Sequence, residues 1–467
     1  MKISINSGIF EAVFLAWRKL LVRENSSAMP DDWGEVPGSA DTASPEAVSA
    51  STLGKEVFVS MGYGTAFSAS TQILHRSPRA FITGCGRAVP GIGELSGKGS
   101  LVDSQVVMDR LLELGISNPR TGQSVSPDFA RKNLEADHLA IANLSDFRKG
   151  FPNFGGPDAE DASEWDLAAE AIRIAMDEAS ISPGDLDAIL HVSPTLRLPS
   201  CEQDDMGLHH CMRRYTEILP GLKENCLLQH HDSGCSGVVL PFQLAKSMLT
   251  SGDFRQVLVV CSTSARGRSD VEYYAAQNDL SKWINYLLFG DAACAFVLSG
   301  AETPAKALSR SNATACYELL SINSVTKTDF YIAQSHRRMA PGEDNESPSC
   351  KMGMTLNPHA AKHVFTKQLF EWLDRQEVER DQLDALVLHQ PNASVVKSVQ
   401  KITGPDKVQN IAEKYGNLIC ASLGVQFYEQ LSMGQTKLRD GSLIAGFTLG
   451  AHAGMTYGGF IAQVHCA

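Results

Sequence analysis

The chain has 467 residues, 43% of them hydrophobic and 20% charged, with a formal net charge of −12 at pH 7. That length exceeds one ordinary domain and suits two α/β halves sharing a core, while the acidic balance argues against a general affinity for nucleic acid or anionic lipid. Eleven cysteines without regular spacing argue against a disulfide framework and point to a reducing, cytoplasmic setting.

The N-terminal stretch "SGIFEAVFLAWRKLLV" places Phe10, Val13, Phe14, Trp17 and Leu21 at helical spacing, but Glu11 interrupts it and Arg18 and Lys19 close it. It falls short of the roughly 20 apolar residues a bilayer span needs, so the expectation is an amphipathic helix docked on its own protein, with no membrane span. Membrane-surface attachment and partner binding stay open for it. Residues 24–56, rich in Ser, Ala, Pro, Gly and acids, read as a linker. Residues 1–78 are therefore an N-terminal extension, and organised structure is expected from Arg79.

From there strand and helix alternate. "RAFITGCGRAVP" reads as a buried strand ending in a turn, and 101–160 as a short helix followed by a long loop. "SEWDLAAEAIRIAMDEASI" has helical periodicity through Leu167, Ile172 and Met176, and "LDAILHVSP" is the next strand. In "HDSGCSGVVLPFQLAKSMLTSGDFRQVLVV", residues 231–260, Cys235 stands between Gly234 and Gly237 at the start of a helix whose stripe is Val238, Phe242, Ala245 and Leu249. A helix N-terminus lowers a thiol's pKa and so favours the nucleophilic thiolate. "GCSG" alone describes a buried structural cysteine equally well.

The pattern then repeats. "PGDLDAILHVSP" at 183–194 is answered by "RDQLDALVLHQP" at 380–391, and the helix and strand beginning at Cys235 are answered by "CASLGVQFYEQLSMGQTKLRDGSLIAGFT" from Cys420. Two echoes in one order indicate a duplicated α/β half, with the halves at about 79–305 and 306–467. In the second half His389 closes an apolar strand with Asn392 just beyond it, the end of an α/β strand where ligand chemistry collects. Gly416 and Asn417 open a helix rich in small residues, and the Asn amide can donate to a developing oxyanion. Singly, His389 could be a core histidine and Asn417 a helix cap.

In combination these stretches resemble the ketoacyl-acyl-carrier-protein synthase III family of the thiolase superfamily. The matching segments are "DSGCSG", "LLFGDAACAFVLSG" at 287–300, "LHQPN", "YGN" and "AGMTYGG" at 453–459, spanning roughly 79–467. The resemblance implies a thiolase fold, two duplicated halves in a five-layered αβαβα arrangement, and usually a homodimer. It implies catalytic roles for Cys235, His389 and Asn417, with the backbone N–H groups of Cys235 and Gly454 as oxyanion hole. No second histidine replaces Asn417 and no second cysteine in a glycine-rich setting precedes the C-terminus, which separates this pattern from elongating ketosynthases and thiolases. It departs from the family at Ser394, where members often carry an arginine linked to carrier docking. The tryptophan-containing segment that clasps coenzyme A is not recognisable in 101–135.

The implied activity is decarboxylative condensation of acyl thioesters through an acyl-cysteine, with acyl-CoA or acyl carrier protein as substrate or partner, no further cofactor, and a place in specialised, polyketide- or fatty-acid-derived metabolism. Alternatives are a synthase III-like acyltransferase forming an ester or amide, and a non-catalytic subunit of a heterodimer. Cys201, His209, His210 and Cys211, like Cys226, His230, His231 and Cys235, lack the paired spacing of a structural zinc site, so no metal is expected. The resemblance places a helix over Cys201–Arg214, and His230 and His231 read as capping a strand. Arg213, Arg214, Arg266, Arg268, Arg337 and Arg338 are candidate phosphate contacts, with surface solvation the plainer reading. No dinucleotide fingerprint or phosphate-binding loop motif is present.

Overall fold

A computed structural model describes residues 78–95, 100–102, 151–153, 164–194, 207–231, 234–264, 289–327, 334–336, 350–352, 358–451 and 455–467. All belong to the second of two units into which the chain divides, Ile73–Ala467. The helix and linker expected before residue 78, most of 101–160, Cys201, Gly454 and the arginines at 266, 268, 337 and 338 lie outside the described residues.

Nine strands form one sheet: β1 Arg79–Ala88, β4 Ala188–Val192, β5 Leu227–His231, β6 Gln256–Thr263, β7 Ala292–Ala301, β8 Ala315–Lys327, β11 Leu383–Leu388, β12 Leu443–Ala451 and β13 Met455–Cys466. Two short antiparallel pairs stand apart from it, β2 Ser100–Val102 with β3 Phe151–Asn153, and β9 Gln334–His336 with β10 Cys350–Met352. Strands therefore stand at both ends of the segment that the sequence reads as a helix and loop. The helices are α1 Glu164–Ala179, α2 Gly207–Ile218, α3 Val239–Ser251, α4 Pro304–Leu308, α5 Pro358–Arg375, α6 Ala393–Thr403, α7 Ala412–Tyr415 and α8 Ser422–Phe427. The helix expected over Cys201–Arg214 is met by α2, which runs on to Ile218, and His230 and His231 are the last two residues of β5.

The sheet order is β5-β4-β6-β7-β1-β8-β13-β12-β11. β4 runs parallel to β5 and β6, whereas β7 is antiparallel to β6 and β1 to β7. In the other half β11 is parallel to β12, β13 is antiparallel to β12, and β8 to β13. The halves meet where Phe81 and Ile82 of β1 oppose Glu318 and Tyr317 of β8. Read outward from that join, each half places its first strand, then its last, then the strand before it, then its second. The internal echo in the sequence is thus a repeated topology.

Period-two alternation sorts the side chains into layers. Val257, Val259 and Cys261 of β6 face an inner core, and Leu258 and Val260 face an outer one. In the second half Ala385 and Val387 of β11 face the same inner core, while Leu386 and Leu388 face a separate outer one. α3 and α8 fill the inner layer, α1 covers one outer face, and α5 and α6 the other. The result is the five-layered αβαβα thiolase fold. The stripe Val238, Phe242, Ala245 and Leu249 is fully buried, each large member contributing about 1.5–3 kcal/mol of transfer free energy. Gly252 ends α3 in the left-handed region at φ 85°. α1 lies so close to β1 that a Cβ on Gly86 would sit 2.0 Å from the Ala171 carbonyl oxygen. Among the described residues no helix is long and apolar enough to cross a membrane.

Candidate active site

The loops around residues 235 and 389 follow the C-terminal ends of β5 and β11, and residue 417 lies just after α7. Cys235 lies in the turn leading into α3, where Gly237 N–H donates to the Gly234 carbonyl at 2.8 Å and Val239 N–H to that of Ser236 at 3.3 Å. The regular helix begins at Val239, so the thiol precedes it rather than occupying its first turn. Cys235 is half-buried, while Cys85, Cys226, Cys261, Cys294, Cys316 and Cys420 are buried free thiols and Cys466 is exposed near the C-terminus. β12 reaches the same turn. A Cβ on its Gly450 would lie 2.6 Å from Ser236 N and 3.0 Å from Cys235 Cβ, so only glycine lets this strand end pass the thiol.

His389 follows β11 directly, and its N–H extends the ladder to the Phe447 carbonyl of β12 at 2.8 Å. The ring is buried and its Nδ1 lies 3.1 Å from the Ile419 carbonyl oxygen. A carbonyl only accepts, so Nδ1 carries the proton and the neutral ring presents a bare Nε2. Burial pulls the imidazole down to about 4, partly offset by the Ile419 carbonyl, so it is neutral near pH 7.

Asn417 is buried, and its Oδ1 accepts the Ile419 N–H at 2.9 Å. The amide nitrogen is thereby oriented as a donor. The "FGD" stretch holds the backbone: Phe289 bridges to Asn417, and Gly290 N–H donates to the Asn417 carbonyl at 3.1 Å. Ile419 thus serves both partners, binding Asn417 through its N–H and His389 through its C=O. It does so at φ 48°, a left-handed conformation that a β-branched residue rarely adopts. The surrounding packing, with Ile419 itself buried, holds that conformation in place.

Beneath this loop Cys420 is fully buried and its thiol donates to the Ser262 carbonyl at 3.2 Å. Burial pushes it well above the usual thiol range, with Cys294, Glu164 and Cys235 adding to the effect. On the other face of the sheet Ser193 and Ser262 both donate to Glu164 Oε1 at 2.5 Å, tying the ends of β4 and β6 together. Because the Ser262 hydroxyl is spent on Glu164, His191 Nε2 must donate to it, across 2.8 Å. Burial, then His230, pulls His191 down to about 3.

Ile419 thus joins the loops of His389 and Asn417, Gly450 lies against Cys235, and Gly454 lies outside the described residues. Asn392 caps α6 by accepting the Val395 N–H at 3.0 Å, and Ser394 Oγ donates back to Asn392. Arg213 and Arg214 are exposed and pair with Glu217 on their own helix. Among the described residues no group of three or more His, Cys, Asp or Glu side chains is placed to hold a metal. Sequence reasoning missed Ile419, whose backbone conformation leaves no mark in composition. It also missed Gln390, Gln426 and Gln430, a buried amide cluster, although polar residues four apart in "GVQFYEQL" were a legible sign.

The family described as 3-oxoacyl-acyl-carrier-protein synthase III matches residues 231–315, and its C-terminal region matches 373–464. Beta-ketoacyl-acyl-carrier-protein synthase III of Clostridium perfringens is 25% identical over 315 residues, covering 64% of this chain and 84% of that protein. The Neisseria meningitidis enzyme of that name is 26% identical over 294 residues, 62% of this chain and 81% of its own. Among solved structures, a Xanthomonas campestris OleA variant with bound lauric acid and lauroyl-CoA superposes with a TM-score of 0.60 at 15% identity, covering 82% of this chain and 99% of that one. The Aquifex aeolicus synthase III gives 0.55 at 18% identity over the same shares. The tetronic acid condensing enzyme AbyA1 gives 0.59 at 17% identity, also over 82% and 99%. These matches fall on both segments that carry the site, and the chain is a synthase III-like member of the thiolase superfamily of condensing enzymes.

Proposed function

We propose that the protein condenses an acyl thioester with a malonyl-type thioester, through an acyl group carried on Cys235. The observation that supports this most is Ile419, which orients His389 and Asn417 toward different tasks. In the first half-reaction the bare His389 Nε2 takes the Cys235 thiol proton and the thiolate attacks the thioester carbonyl. The departing thiol leaves with the proton returned by the imidazolium. In the second half-reaction the malonyl carboxylate leaves as carbon dioxide, and Asn417 donates its amide N–H to the enolate oxygen. The enolate carbon then attacks the acyl-cysteine carbonyl, and the β-ketoacyl product departs as the Cys235 thiolate is expelled and reprotonated. The proton on Nδ1, bound to Ile419, favours a role for His389 as base in the first half-reaction.

Acyl-CoA or an acyl carrier protein is the donor in this reading, and OleA with lauroyl-CoA supports a coenzyme A thioester. The similarity to a tetronic acid condensing enzyme supports specialised metabolism. Among the described residues β5 ends the sheet, and the homodimer this reading implies would place a second copy of the chain beside it.

Acylation followed by intact mass, together with labelled carbon dioxide released from a malonyl donor, tests the division of labour. Asn417→Ala should keep Cys235 acylation within about tenfold and lose roughly a hundred- to a thousandfold of the carbon dioxide release, whereas His389→Ala should slow acylation as well. Wild-type protein that releases no carbon dioxide from any malonyl thioester, yet passes its acyl group to a hydroxyl or amine in a His389-dependent way, would establish acyl transfer instead.

A further inference from the structure

α8 does not end as an ordinary helix. It widens into a π-helical turn, Tyr428–Ser432, and this places Glu429 in the interior, almost wholly shielded from solvent. Single π turns inside helices recur at functional sites because the extra residue re-aims a side chain. Here the Glu429 carboxylate accepts the hydroxyl of Tyr415, the last residue of α7 and two positions before Asn417. The same oxygen lies 3.2 Å from Arg87 Nε at the end of β1 and 3.5 Å from Lys414 Nζ. The Arg87 guanidinium in turn lies over the Tyr428 ring, 5.4 Å from its centroid. Breaking one member of a buried charge pair costs far more than the pair contributes, so the cluster holds its geometry stiffly.

We infer that Glu429, clamped by Arg87, positions the Asn417 amide by holding the Tyr415 hydroxyl. The inference rests on the condensing role proposed above. Between Tyr415 and Asn417 only Gly416 intervenes, at φ 71°, a conformation favourable to glycine. Such a link has no side chain of its own to fix the turn. The turn is therefore held from outside: by Tyr415 on Glu429 before it, and by Ile419 and Gly290 on Asn417 after it. Tyr415 and Glu429 are positioning residues, since neither is placed at the reacting atoms.

The test is a double-mutant cycle on carbon dioxide release, with Cys235 acylation and thermal unfolding measured alongside. Tyr415→Phe should leave acylation within about twofold and lower carbon dioxide release about tenfold, the equivalent of one hydrogen bond to a charged group. Added to Asn417→Ala, it should cause no further loss of release, because it acts through an amide already removed. A residue that only stabilised the fold would lower the melting temperature and slow both half-reactions in either background. If Tyr415→Phe fails to fold, Glu429→Gln, which keeps an oxygen for the hydroxyl but loses the charge that pairs with Arg87, runs the same cycle, with a loss of release smaller than tenfold but measurable, and none added to Asn417→Ala. Release by Tyr415→Phe equal to wild type, or losses that multiply with Asn417→Ala, would overturn the inference while the condensing function stands. A wild-type protein that never releases carbon dioxide would overturn the function, and the inference with it.

Discussion

The two halves of the sheet share one strand order, yet they treat equivalent positions differently. In the sequence echo Cys235 and Cys420 occupy matching places, each ahead of an inner-layer helix. Cys235 remains half-buried against Gly450, while Cys420 is sealed and donates its proton to the Ser262 carbonyl. Val192 is the counterpart of His389, and it is apolar. In the proposed reading the first half supplies a thiol and the second the groups that act with it. Reactivity here follows from exposure and from hydrogen-bond partners, since residue type and chain position are shared.

The sheet edges differ in the same manner. Among the described residues β5 ends the sheet in the first half, whereas the edge of β11 is covered by a side chain. Gln426 Nε2 donates to the Leu386 carbonyl at 3.1 Å and its Oε1 accepts the Leu388 N–H at 2.8 Å, so one carboxamide takes the place of a strand's peptide group. Gln390 and Gln430 extend the cluster to the backbone at Gln409 and Lys407. Among the described residues one edge is simply the last strand, while the other is satisfied by side chains within the chain.

The contrast between the cysteines predicts the largest effect. Cys235→Ala should abolish acyl-enzyme formation while Cys420→Ala leaves it measurable, and iodoacetamide should modify Cys235 in the folded protein. Alkylation of Cys420 with Cys235 untouched, seen by peptide mass mapping, would reverse the assignment. The edges come next. Gln426→Leu leaves the Leu386 carbonyl and the Leu388 N–H buried without partners, at about 1–3 kcal/mol each, so chemical denaturation should show a loss of about 2–5 kcal/mol. At the β5 edge Gln229→Leu should change stability by less than about 0.5 kcal/mol, and comparable losses at both edges would deny the distinction.

The most graded effect is with pH. His389 and His191 have folded-state values of about 4 and about 3, below the unfolded value near 6.5. Above that value both rings are neutral whether the chain is folded or not. As pH falls below it only the unfolded chain takes up these protons, so stability present near neutrality is lost between about pH 6.5 and 4, at about 1.4 kcal/mol per unit per ring. Replacing His191 with Gln should flatten part of that slope when denaturation midpoints are compared across the window. An unchanged slope would mean that the ring is protonated in the folded state.

Much of this was legible without coordinates. Helical and strand periodicity located β1, α1, β4, α3 and β11, and the echo foretold the repeated topology, because burial of one face imposes a period that local sequence must carry. The motifs around Cys235, His389 and Asn417 singled out the candidate residues, since their chemistry lies in the residue types. The short strands at the ends of 101–160 were missed because three-residue strands carry almost no periodicity. The start of α3 was placed four residues early because Cys235 to Val238 form turns that the same small residues permit in a helix.

The sequence by itself determined the duplication and which residue types are available for chemistry, because each follows from the order of residues along the chain, while the layering was implied by the resemblance to synthase III. Only the tertiary structure decided that Cys235 and not Cys420 is accessible, that His389 holds its proton on Nδ1, and that Asn417 offers its nitrogen. Each of those depends on a partner distant in the chain or on the φ angle of Ile419, and neither long-range hydrogen bonds nor strain enforced by packing is encoded in any local pattern.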